Sequence, residues 1–210
     1  MPSSHPLRRP RVLGSTRERP ALGAHAVLAA ASACLLCGCF PLPAHIESSP
    51  ASFTPSDLSG CWYNVATSFP YWLDGTKSNP EQCYTPRAGH ADQLADLVAF
   101  DDDGEPDSFA GIDHQDPDQP IHFTWRGEGF LALFPTEFYV AWISPDRETL
   151  VVYYSDTLVA SAAIDVLTRS PHPDPRRIAK AIAVAHADPF LKTVEAPIVT
   201  LPPRKGAPDP

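Results

Sequence analysis

Basic side chains are in short supply: 16 Lys and Arg stand against 25 Asp and Glu, for a formal net charge of −9 over 210 residues. That balance excludes nucleic acid as a partner, because phosphate binding needs a basic face. No apolar run of about 18 residues follows residue 40, which excludes a membrane-spanning helix from the body of the chain. Neither His-x-x-x-His nor Cys-x-x-Cys occurs beyond residue 55, so no structural zinc site is expected there. Gly-x-Ser-x-Gly is missing as well, and with it the strand-to-helix turn that exposes a serine nucleophile. Asp101, Asp102, Asp103, Glu105 and Asp107 lack the spacing of a calcium loop and read as solvated turn carboxylates. No metal, no cofactor and no catalytic residue is assigned. Proline is plentiful, at 25 residues, and clusters at both ends and in loops. With 43% hydrophobic and 20% charged residues, this describes a globular domain with irregular tails.

The first forty residues read as an export signal. Arg8, Arg9, Arg11, Arg17 and Arg19 precede an apolar run from Ala26 to Leu36, which is too short to span a bilayer and suits a signal h-region. Leu36-Cys37-Gly38-Cys39 resembles a bacterial lipobox, which implies cleavage before Cys39 and acylation of that cysteine. An ordinary secretory cut after Ala31-Ser32-Ala33 is the alternative. Residues 1–38 are then a lipoprotein signal and residues 39–55, rich in Pro and Ser, an extended linker. Phe40, where an Asp would retain the protein at the inner membrane, implies an outer-membrane anchor with the domain facing the periplasm.

Residues 56–200 carry the domain, and 201–210 form a Pro-rich tail. Short strand-like runs recur at 60–67, 82–87, 94–100, 121–127, 130–134, 138–144, 150–155 and 159–168, with turn signals between them. Eight such runs predict an all-β barrel or sandwich. Asp101-Asp102-Asp103-Gly104 and Ser144-Pro145-Asp146-Arg147 read as hairpin turns, and 113–120 as a loop rich in Asp and Pro. One helix is predicted from Pro175 to His186. Asp174 is its N-cap and Pro175 its first residue; Ile178, Ala181, Ile182 and Ala185 form its apolar face.

Gly60-x-Trp62-Tyr63 opens the first strand and Leu167-Thr168-Arg169-Ser170-Pro171 ends the last long one. The pair, with a looser match at 138–154, resembles the lipocalin family. The resemblance covers roughly residues 58–200 and implies an eight-stranded antiparallel up-and-down β-barrel with one C-terminal helix packed outside. Gly60, Trp62 and Arg169 would close it, with the guanidinium over the indole. The Arg-bearing phase of the last strand places Asp165 and Leu167 inside, and the Trp62 phase adds Asn64 and Ala66. Elsewhere the more aromatic phase is taken as inward: Tyr84, Phe123, Trp125, Phe138, Val140, Trp142, Val151 and Tyr153. Asp165 is the titratable residue of interest, with Arg126 or Tyr153 as its candidate partner, and His122 reads as a solvated or satisfied strand histidine rather than a base.

With Trp62 and Tyr84 inward, Cys61 and Cys83 both point outward from neighbouring strands. That parity permits a disulfide in an oxidising compartment; two separate thiols are the alternative. The family likeness implies a small hydrophobic or amphiphilic ligand of the fatty-acid or lysophospholipid class, with a membrane contact through the anchor and no assembly beyond a monomer or weak dimer. A lipocalin-like enzyme and a filled, purely structural barrel are the alternatives.

Overall fold

The computed structural model describes residues 45–158 and 160–204. The Cys39 acylation site, the leader and the end of the tail lie outside the described residues. Eight antiparallel strands follow one another up and down: β1 (Gly60–Thr67), β2 (Lys77–Arg87), β3 (His90–Asp102), β4 (Glu105–Gln115), β5 (His122–Gly127), β6 (Thr136–Ile143), β7 (Thr149–Tyr154) and β8 (Ala163–Thr168). β8 and β2 both pair with β1, which closes the sheet on itself. Closure leaves no unpaired edge among these eight strands. A two-residue β9 (Val199–Thr200) pairs with Ala66 and Thr67, where β2 has departed from β1.

The helix α2 (Pro175–Ala187) runs as expected. Asp174 caps it by accepting a hydrogen bond from the Arg176 N–H. Ala181 and Ala185 bury against the outer faces of β6, β7 and β8 in a cluster with Tyr139, Val151, Ile164 and Val166. A second cluster fills the closed end of the barrel: Trp62, Leu94, Phe123, Val140, Leu150, Val152 and Leu167, with Phe53 from below. A short helix α1 (Pro55–Leu58) lies beneath it, and Leu58 is fully buried. The stretch read as a linker also packs in part. Ile46 is buried in the outer cluster, and the Ser48 N–H donates to the Asp188 carboxylate at 2.9 Å.

Two elements differ from expectation. The expected strands omit β4, whose Asp113-His114-Gln115 fall in the segment read as a loop; the hairpin turn expected at Asp101-Asp102-Asp103-Gly104 forms just before it. The tight Asp103-Gly104 turn, both residues at positive φ, sends the chain back along the whole of β3. Residues 130–134 form a 3-10 turn, Gly129–Leu133, rather than a strand. Gly127 lets that turn fold back, since a Cβ there would lie 2.4 Å from that of Leu131.

Cys61 and Cys83 are bridged, with Cα atoms 4.0 Å apart. The bond joins directly opposed residues of β1 and β2 on the outside of the barrel. With its ends 22 positions apart in sequence, chain-entropy loss in the unfolded state implies about 3 kcal/mol of stabilisation. Replacing both cysteines by serine is expected to lower the unfolding free energy by about that amount, and the urea midpoint with it. An unchanged midpoint would show that the bridge does not constrain the unfolded chain.

Candidate functional site

The strands define two unlike ends. The closed end is sealed by Trp62, which is fully buried and whose indole N–H donates to the Leu58 carbonyl at 2.7 Å. Arg169 covers it, with its guanidinium carbon 3.7 Å from the ring centroid and further hydrogen bonds to the carbonyls of Cys61 and Asp57. Gly60 is required twice over. Its φ is +90°, and a Cβ would stand 3.0 Å from an Arg169 nitrogen. The expected barrel-closing trio is therefore assembled as read.

At the other end the connections between β1 and β2, β5 and β6, and β7 and β8 surround a mouth. It leads into a cavity of ≈ 750 Å³ whose lining is mostly apolar and aromatic. Phe69, Tyr71 and Trp72 come from the first connection, Leu131 and Phe134 from the second. Exposed Leu73, Phe130, Leu133 and Leu158 add apolar surface on the same connections.

Of the residues read as calyx lining, Tyr84, Trp125, Phe138 and Asp165 line this cavity. Phe123, Val140 and Leu167 face inward but are spent in packing the closed end. Asn64 is buried beside Asp165. Trp142, Val151 and Tyr153 are corrections: all three pack in the outer cluster, and the Lys180 ammonium lies over the Trp142 ring at 5.9 Å. A register shift between Val140 and Trp142 turns β6 over, and one between Asn64 and Ala66 does the same to β1, so Ala66 also faces out and Thr67 faces in. β7 has no shift. Both its faces are apolar because one meets the helix and the other the interior, so alternation alone could not choose between them.

The cavity floor is polar in a way the sequence reading missed. The Tyr84 hydroxyl donates to the Gln82 side-chain oxygen at 2.6 Å, and the Gln82 amide donates to the Tyr154 hydroxyl at 3.1 Å. Three carboxyl groups surround this pair of tyrosines. Asp165 accepts from the Thr67 hydroxyl at 2.5 Å, and neither Arg126 nor Tyr153 is its partner. Burial raises its pKa from 3.8 to about 7, against donors on Thr67, Trp72 and Asn64 that favour the charged form. Asp96 is likewise raised to about 7 by burial. Asp113 is fully buried and pushed well above the ordinary carboxylate range, by burial first and by the neighbouring Asp96 second. Asp96 lies opposite Gly111 and Asp113 opposite Leu94, so the two are diagonal neighbours on adjacent strands. Asp96 was legible in principle, because it shares the strand phase of Leu94, Val98 and Phe100. Asp113 was hidden in the segment read as a loop.

His122 is buried on the outer side at the closed end, stacked on Tyr139 with 4.5 Å between centroids. It bonds Asp116 and Glu137 with its two ring nitrogens. Burial opposes its charge, but these carboxylates outweigh burial and raise its pKa. It is a satisfied histidine, as read.

No family model matches the sequence, and no curated protein matches it. Among solved structures the chain is similar to the siderocalin Ex-FABP, at a TM-score of 0.53 and 14% identity, over 71% of this chain and 97% of that one. It is also similar to apocrustacyanin C2, at 0.53 and 17%, over 72% of this chain and 81% of that one. The fold is that of the lipocalins. At these identities the likeness concerns the barrel alone. The floor of this barrel is Tyr84, Gln82 and Tyr154, joined by hydrogen bonds among three buried aspartates.

Proposed function

We propose that this protein holds a small hydrophobic or amphiphilic molecule inside its barrel, of a size and shape found among fatty acids and lysophospholipids. A lipid on Cys39 would tether it to the outer membrane of a bacterial envelope, with the domain facing the periplasm. The cavity carries this reading. A volume of ≈ 750 Å³ falls within the range of small-molecule pockets, and a barrel filled by its own side chains would leave no such space. Burying a hydrocarbon chain there contributes about 0.8 kcal/mol per methylene. The siderocalin that shares the fold functions through dual ligand specificities, which supports a ligand-holding use of the same architecture.

The test of ligand holding is native mass spectrometry of the protein isolated from its envelope, followed by extraction. An adduct of a few hundred daltons that solvent removes is expected. A protein that arrives empty and also takes up no chain amphiphile in vitro would count against it. Cys39→Ser is expected to move the protein from the membrane pellet to the soluble periplasmic fraction, whereas unchanged sedimentation would refute the anchor. A second reading, an enzyme on the same barrel, is favoured by one observation: Asp96 and Asp113 form a buried pair able to hold and pass a proton. Chemical change of the extracted ligand on incubation with the protein would decide for it.

A further inference from the structure

Resting on the ligand-holding reading, we infer that the ligand is a protonated amine, an ammonium group on an apolar chain or ring system, seated on the cavity floor against Asp96 and Asp165. Three geometric facts support this. First, two of the three buried acidic groups lack donors, Asp165 being the one that accepts a hydrogen bond, from Thr67. Neither oxygen of Asp113 has a hydrogen-bond partner, nor has Oδ1 of Asp96, although Asp96 is only 7% exposed and lines the cavity. The indole N–H of Trp125 approaches Asp96 but stops short of hydrogen-bonding geometry. Buried carboxyl oxygens left in this state are costly, and a ligand that brings N–H donors removes the cost.

Second, no positive charge of the protein answers them. Among the described residues, no Lys, Arg or His lines the cavity. Lys77, near the mouth, is held by Asp74 at 2.7 Å. Arg169 is committed to Trp62 at the opposite end. Third, the walls beside the floor offer aromatic faces, Trp72, Trp125, Tyr84 and Tyr154, which attract a cation further once water is displaced. A quaternary ammonium would use the rings but leave the carboxyl oxygens without donors. A primary or secondary amine uses both. A fatty-acid anion would place a fourth acidic group among three.

The titratable groups that face the floor are Asp96 on β3, Asp113 on β4, Asp165 on β8 and the hydroxyls of Tyr84 on β2 and Tyr154 on β7. Asp113 lies one rung deeper than Asp96 and acts through it. Because burial raises Asp96 and Asp165 to about 7, they hold their protons at pH 6, and an arriving ammonium would drive a proton off the floor into solvent.

The experiment titrates the full chain with decylamine, decanol and decanoate at equal ionic strength, followed by quenching of tryptophan fluorescence and by calorimetry in two buffers of different ionisation enthalpy. Decylamine is expected to bind at least about tenfold more tightly than either of the others, and near pH 6 to release on the order of one proton per molecule bound. Asp165→Asn and Asp96→Asn are expected each to weaken decylamine by about tenfold or more while leaving decanol unchanged or tighter. Decanol or decanoate binding as tightly as the amine, or amine binding without proton release, would overturn the inference and leave the ligand-holding reading standing. Failure of all three to bind would overturn both. Proton release is measured on the unaltered protein, so it decides the matter even if a variant does not fold.

Discussion

Acidification from pH 8 to pH 5 is expected to stabilise this protein. Asp96 and Asp165 titrate near 7 in the folded barrel against 3.8 for the unaltered side chain, and Asp113 is raised further. Between about 4 and 7 the unfolded chain has already released these protons while the folded chain keeps them. The folded state thus binds more protons, and stability falls as pH rises through that window. The contribution is complete below the unfolded pKa and gone above the folded one. His122, whose pKa is also raised in the fold, acts in the same direction. Asp116 and Asp188 are held below the usual carboxylate range by hydrogen bonds, so they act in the opposite sense, but only once pH falls below about 4. A maximum near pH 5 follows. The displacement from 3.8 to about 7 corresponds to at most about 4 kcal/mol for one group. Asp165→Asn is expected to raise the unfolding free energy at pH 8 by on the order of 1–3 kcal/mol and to flatten the profile. Urea unfolding at five or six pH values reads both. A stability that falls steadily on acidification from pH 8 would show that the floor is wetter than the geometry implies.

Truncating the plug of the closed end is expected to have the largest effect of any single substitution. Trp62→Ala removes a fully buried indole, its hydrogen bond to Leu58 and the surface on which Arg169 rests. The loss should be about 3–5 kcal/mol. Arg169→Ala should cost less, up to about 2 kcal/mol, because its guanidinium remains partly solvated. In a cycle of Trp62→Phe with Arg169→Ala, the two should couple by roughly 0.5–2 kcal/mol. Strict additivity would mean that the stacking seen at 3.7 Å has no energetic content. Ligand affinity should hardly move in any of these variants, because the mouth lies at the far end of the barrel.

Much of this architecture was legible from local pattern. Trp62 and Arg169 were paired through the family resemblance; Gly60 before its strand and Asp174-Pro175 before an apolar stripe are short-range signals. Each is tied to a backbone conformation or a capping bond that a few residues settle between themselves. Strand parity permitted the Cys61–Cys83 pairing, and the structure forms it. The inward face of β6 did not follow, because a register shift at Val140 is set by how β7 lies beside it. Trp142, an obvious pocket residue by composition, packs against α2 instead.

By itself, the sequence determined seven of the eight strands and the outer helix, since amphipathic period, caps and turn residues act over a few positions; it carried the closing Trp–Arg pair only through the family resemblance. Only the tertiary structure decided what the barrel's interior is. Asp96, Asp113 and Asp165 lie 17 and 52 residues apart in the chain, on three strands; strand phase places Asp165 inside, but Asp113, in a polar segment, looks solvated. Closure of the sheet brings all three around Tyr84 and Tyr154 and removes the water. Burial is a property of what surrounds a residue, and for Asp113 those surroundings come from β3 and β5, strands that β4 meets only when the barrel folds.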